Sequence, residues 1–155
     1  VSEFDHQCAL FDWSRNPAVR KYLPDLDVME ASLNGVKLSK AQAGKAWAAG
    51  MLAGAWDINL PVPRGIYHGM RIEMKFGRNT LTTDQKWYGR RLQELGWYVV
   101  ACWSWDEARE QIIDYLTQKD LFPRAGAACT CAKCGFVTVT PAAVESTWQD
   151  DFFAE

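Results

Sequence analysis

The run Ile72-Glu73-Met74-Lys75 sets a carboxylate and an ammonium two residues apart, inside a strand-like stretch from Gly69 to Phe76. Side chains two apart on a strand share a face, about 7 Å from each other along the chain. There they form an ion pair, and a second carboxylate converging on them turns the pair into a catalytic centre. Asp57 is the candidate, near the start of a preceding strand-like run from Trp56 to Leu60. Neighbouring strands lie ~4.8 Å apart, near enough for Asp57 and Glu73 to hold one divalent cation. Two carboxylates completed by water suit Mg2+ or Mn2+, hard ions that prefer oxygen. Such an ion binds a phosphate oxygen and lowers the pKa of a bound water. Lys75 would orient or deprotonate that water, or stabilise the charge building on the phosphorane. That is a phosphodiester hydrolase site. The plainer reading of the same residues is a surface Glu–Lys pair and an unrelated Asp.

The elements that must position these residues follow from periodicity and capping. Ser2 caps a first helix running to about Trp13, in which Phe4, Cys8 and Phe11 suggest an apolar stripe. Asn16-Pro17 breaks it, and a short helical turn precedes Pro24. Val28 to Leu33 reads as a short strand ended by the turn Asn34-Gly35. Ser39 with Gln42 opens a helix to about Leu52. In the strand Gly69 to Phe76, Met70, Ile72 and Met74 point one way and Arg71, Glu73 and Lys75 the other. Thr82 or Thr83 caps a helix to Leu95 that stops at Gly96. Trp97 to Trp103 is a buried strand, and Ser104 with Glu107 forms a capping box for a last helix. Its core stripe is Ala108, Ile112, Tyr115 and Leu116. The predicted order is α–β–α–β–β–α–β–α, then a tail from about Leu121 with a strand-like Phe136 to Thr140.

At 155 residues the chain is one domain by length, and 48% hydrophobic against 23% charged residues is an ordinary globular balance. No run approaches the ~20 consecutive apolar residues of a membrane-spanning helix. The formal net charge is −2, which excludes a bulk polycation that coats nucleic acid by charge alone. The charge is uneven, however. Residues 61–95 carry a balance of +4, between segments of −1 and −5. That suits a site that meets phosphate, with Arg71, Arg78, Lys86 and Arg90 as the expected DNA contacts, although a solvated helix face has the same composition.

Five cysteines are an odd number, and the opening stretch Val1 to Asp12 has acids but no Lys or Arg, unlike a signal peptide. Reduced thiols in a cytoplasmic setting are expected. Cys129, Cys131 and Cys134 crowd together and would suit Zn2+, but a structural site wants four ligands and no further Cys or His follows. Plain thiols are the competing reading.

The segment from Glu3 to Leu116 resembles the VRR-NUC nuclease family of the PD-(D/E)XK superfamily. The likeness rests on Glu3 with His6-Gln7, the turn Asn34-Gly35, Gly54-Ala-Trp-Asp57, Gly69-Met-Arg-Ile-Glu-Met-Lys75, Leu81-Thr-Thr-Asp-Gln85, Gly96 with the strand after it, and Ile113-Asp-Tyr-Leu116. Each is weak alone; the order and separations make the set specific. The departure is Trp56, where the family usually has Pro, which puts local geometry in doubt more than chemistry. The resemblance implies an α/β fold with a restriction-endonuclease-like core, a mixed β-sheet flanked by helices. Residues 1–120 would be the nuclease domain and 121–155 a short C-terminal extension. It also implies that Glu3, Asp57 and Glu73 are metal ligands with the Met74 carbonyl, that Lys75 is base or electrostatic stabiliser, and that Gln85 orients the site. Each has a blander rival. Glu3 favours a helix N-terminus in any case, and Thr82-x-x-Gln85 is itself a capping box.

The implied activity is a metal-dependent deoxyribonuclease of a bacterial or phage-infected cell. Its sharpest form is a homodimeric Holliday junction resolvase, since symmetric cuts in a four-way junction need two clefts related by a two-fold axis. A flap-type or duplex nuclease, or a non-catalytic DNA-binding module that keeps the fold, are the alternatives. No membrane partner is expected.

Overall fold

The computed structural model describes residues 2–32 and 39–119, and two further strands, Ala128–Thr130 and Val137–Val139. Helix α1 (Glu3–Arg15) begins at a Ser2–Asp5 capping box, and α2 (Pro17–Tyr22) starts on the Asn16 cap. A 3-10 turn (Pro24–Val28) leads into β1 (Glu30–Ala31), shorter than the predicted Val28 to Leu33 because Pro24 commits the first of those residues to the turn. Helix α3 (Lys40–Ala48) carries the predicted Ser39–Gln42 box. Then come β2 (Ile58–Leu60), β3 (Met70–Met74), α4 (Thr83–Glu94), β4 (Tyr98–Cys102) and α5 (Trp105–Leu116). The order matches the predicted one. The predicted turn Asn34-Gly35 lies outside the described residues.

The sheet is mixed, in the order β1-β2-β3-β4, with the first two pairings antiparallel and β3–β4 parallel. Register puts Ile58 opposite Ile72, and Leu60 opposite Met70. These residues, with Met74 and Cys102, make one buried face, against which Leu10 and Phe11 of α1 and Ala108, Ile112, Tyr115 and Leu116 of α5 pack. The second face carries Asn59, Arg71, Glu73 and Val99, and it is the face of the candidate site. Parallel strands β3 and β4 are joined through α4. That helix ends in a Schellman motif: Trp97 N–H donates to the Leu92 carbonyl and Gly96 N–H to that of Gln93, with Gly96 at φ +80°.

Two local expectations are corrected. The first concerns α1. Phe11 is buried as expected, but Phe4 and Cys8 are exposed, and the inward side is completed by Leu10 and Ser14 with Glu3, His6 and Gln7 partly buried. The stripe is polar at its start because the first turn faces the polar side of the fold, and hydrophobicity alone therefore mistook its direction. The second is at α5, where Ser104 accepts from Glu107 N–H but the Glu107 carboxylate bonds Trp103 N–H, one residue earlier than a capping box requires. The strands β5 (Ala128–Thr130) and β6 (Val137–Val139) pair antiparallel with each other. Cys131 and Cys134 lie outside the described residues, and of Cys129 only its place in β5 is described. No described helix is long and apolar enough to cross a membrane.

Candidate active site

Strand β3 delivers Glu73 and, one residue past its end, Lys75. Both are buried, Glu73 at 1% and Lys75 at 6% exposure. Alternation alone places them on one face, and Lys75 N–H keeps the backbone in register by donating to the Cys102 carbonyl at 2.8 Å. Lys75 Nζ donates to Glu73 Oε1 at 2.7 Å. Asp57 precedes β2 by one residue and reaches across to the Met74 N–H, which its Oδ2 accepts at 2.9 Å. The Asp57 carbonyl accepts from Ser32 N–H at 2.7 Å, so both sides of the residue are pinned to the sheet.

Gln85 resolves two competing readings by doing both jobs. Its Oε1 accepts from Thr82 N–H at 2.9 Å and closes the capping box of α4, while its Nε2 donates to Glu73 Oε1. One amide thus caps a helix and docks it on the carboxylate. The residue that makes this reach work had no expected role beyond its departure from proline. Trp56, 3% exposed, donates its indole N–H to the Gln85 carbonyl at 2.9 Å. Its ring lies on Gly89, where a Cβ would come within 2.5 Å of Trp56 Cζ2. Gly54, at φ +77°, lets the loop pass Asp84: a Cβ there would sit 2.5 Å from the Asp84 carbonyl carbon. Trp56 in the usual proline position is therefore what bolts α4 to the site. A glycine inside a helix, at helical spacing from Gln85, was the available signal.

The electrostatics are those of a crowded carboxylate pair. Burial pushes the Glu73 carboxyl up from 4.5 to about 7, the charge of Asp57 adds to the rise, and the Lys75 hydrogen bond opposes it. Burial also raises Asp57, against the Met74 N–H that stabilises its charge. Glu3, half-buried in the first turn of α1, raises both through its charge. Glu73 Oε2 is buried with no hydrogen-bond partner among the described residues. A bare carboxylate oxygen beside a second strained carboxylate is a donor set for a hard cation. The residues fit such an ion as a two-carboxylate pair with Glu3 at the margin, because among the described residues no three acidic, imidazole or thiol groups close into a ready cluster.

The other expected residues are placed as follows. Arg71 shares the face of Glu73, its guanidinium 5.7 Å from the Trp97 ring centre. Arg78 is exposed in the loop after β3, and Lys86 and Arg90 are exposed on α4. Met74 has a buried side chain and serves the site through its N–H. His6, on the inward side of α1, accepts from Trp105 N–H at 3.3 Å and so holds α1 against the start of α5. His68 is exposed, with its ring close to Gly96. Zinc at the cysteine cluster finds no support.

No family model and no curated protein matches the chain. Among solved structures, one described as a VRR_NUC domain protein superposes with a TM-score of 0.65 at 29% identity, over 77% of this chain and 92% of that one. The chain carries a VRR-NUC-like domain. The order of helices and strands and the mixed four-stranded sheet of this VRR-NUC-like domain are those of a nuclease fold. Within it, Glu73, Lys75, Asp57 and Gln85 meet at one end of β3.

Proposed function

We propose that the chain is a divalent-metal-dependent DNA endonuclease that hydrolyses phosphodiester bonds in branched DNA. The observation that carries this reading is the buried Glu73–Lys75 pair facing Asp57. Burying two ionisable groups beside a half-buried third is costly, and a fold with no use for the arrangement would be more stable with apolar residues there. Asp57, Glu73 and Glu3 would hold Mg2+ or Mn2+, with the Met74 carbonyl as a further ligand. Such a cation, when bound, would supply Lewis-acid polarisation of the phosphate and activation of water.

The chain's own residues do the rest. Lys75, hydrogen-bonded to Glu73, faces the phosphate and stabilises the negative charge that grows on its oxygens. Gln85 fixes the rotamer of Glu73, and the backbone N–H of Met74 fixes Asp57, so both carboxylates are set before substrate arrives. Arg71, Arg78, Lys86 and Arg90 hold the DNA backbone. The substrate we favour is a four-way junction cut by a homodimer, because one domain offers one cleft and paired cuts need two.

The test uses labelled junction, flap and linear duplex with Mg2+, with Mn2+ and with chelator. Paired nicks on the junction that need metal and vanish in Lys75→Ala are expected. Metal-independent cleavage, or cleavage unchanged in Lys75→Ala, overturns the mechanism. Equal cutting of all three substrates removes the branched-DNA preference, and a one-subunit mass in sedimentation removes the homodimer.

A further inference from the structure

The side of the fold that carries Trp56 and α4 also holds a cavity of about 390 Å3 that the hydrolytic chemistry leaves unused. That volume falls in the range of pockets that accept small ligands. Trp56, Leu81 and Val99 give it apolar walls, and Lys86, Arg90 and Gln93 of α4 border it. Lys86 and Arg90 are exposed, one helical turn apart, and outside every ion pair among the described residues, whereas Arg91 and Arg109 are paired with Glu94 and Asp106. Arg71 stands beside Val99 in the β3–β4 register, and its Nε is buried without a hydrogen-bond partner among the described residues. The slot is therefore apolar inside and bordered by cations that the protein does not neutralise. Its complement is a molecule with a flat uncharged end and an anionic end.

The cavity also touches the catalytic centre through two chain segments. Trp56 immediately precedes Asp57, and its indole N–H is bonded to the carbonyl of Gln85, the residue before Lys86. An occupant would rest on the two segments that carry Asp57 and Gln85. We propose that the cavity receives one unpaired nucleotide of the DNA substrate, its base against Leu81 and Val99 and its phosphate at Lys86 and Arg90. The inference rests on the nuclease reading and deepens it, since it names a base freed from its partner at the branch point as what the protein grips in branched DNA. Every base offers a flat face to such side chains, and its polar edges can stay in water at the open mouth of the slot, so the slot would select unpaired structure and not sequence.

The test is a binding measurement in chelator, where no cleavage occurs. An oligothymidylate of roughly eight nucleotides is compared with an abasic sugar-phosphate chain of the same length, and the indole N–H resonance of Trp56 is followed by NMR. The expected result is about tenfold tighter binding of the oligothymidylate, with a shift of the Trp56 resonance that the abasic chain does not produce. Leu81→Ala should abolish the preference for bases, and Lys86→Ala should weaken both chains alike. Equal affinity for the two wild-type complexes, binding of neither, or an unmoved Trp56 resonance overturns the proposal. Cleavage of branched DNA with Mn2+ is measured on the same preparation. Cleavage without a base preference removes the cavity's role alone, and base preference without cleavage removes the nuclease reading while leaving a nucleotide slot.

Discussion

Glu73 accepts two hydrogen bonds on one oxygen, from Lys75 and Gln85, while its other oxygen is buried with no hydrogen-bond partner among the described residues. A carboxylate so placed is unstable as an anion until something positive meets that second oxygen. Its folded pKa of about 7 lies above the 4.5 of an ordinary Glu, so between those values the native state keeps a proton that the unfolded chain releases. Stability therefore falls as pH rises from 4.5 to 7 and levels off above, with a cost on the order of 3 kcal/mol. Thermal unfolding of the metal-free protein across that window should show the fall, and Glu73→Gln should flatten it while abolishing cleavage. Added Mn2+ at pH 8 should raise the midpoint of the wild type and leave Glu73→Gln nearly unmoved. Lys75→Ala should lower the cleavage rate by about 10²–10³-fold, with DNA binding kept, if its ammonium acts on charge that develops only during reaction. A matching loss of binding would mean that Lys75 holds the ground-state phosphate instead.

At the scale of elements, α4 reaches the site through three contacts: the Gln85 amide, the Trp56 indole and the Trp56–Gly89 approach. Trp56→Phe keeps an aromatic ring but removes part of the indole with its N–H, leaving the Gln85 carbonyl without this partner and a gap beside Gly89. The expected cost is about 1–2 kcal/mol of stability with a fall in kcat larger than the rise in KM. Gly89→Ala should be worse, because the added methyl meets the indole ring, and about 1–3 kcal/mol is expected from chemical denaturation. A Trp56→Phe protein that unfolds normally but keeps full kcat would show that α4 needs no such bolt. Much of this geometry was legible in the residues. Period two in Met70 to Lys75 assigned the faces of β3, and Thr82-x-x-Gln85 marked the start of α4. The inward side of α1 was not legible, because its pattern is polar where it meets the candidate site, and apolar spacing pointed to Phe4 and Cys8 instead. Trp56 was seen only as a departure from proline, since the partner that explains it, Gly89, is far along the chain. Glu3, Asp57 and Glu73 were named together, yet spacing could not show that the described residues bring only Asp57 and Glu73 into a close pair, with Glu3 at its margin.

For the whole molecule the relevant quantity is the field. A net charge of −2 keeps the protein from binding DNA indiscriminately, while the +4 balance of residues 61–95 supplies cations near the centre: Arg71 on the Glu73 face of the sheet, and Lys86 and Arg90 on α4. Phosphates held by those groups release condensed counterions, so affinity must fall with salt along a line whose slope counts the contacts. With chelator present, log K for a four-way junction against log salt should be linear. Lys86→Ala and Arg90→Ala should each reduce the slope by about 1 per phosphate contact removed. A homodimer that places two copies on one junction loses the contact twice, so in that assembly the reduction approaches about 2 for each substitution. The slope therefore reads the stoichiometry as well as the residues. A reduction near 1 on the junction, together with the same value on a linear duplex, would mean that one subunit holds each DNA and that paired cutting needs another explanation.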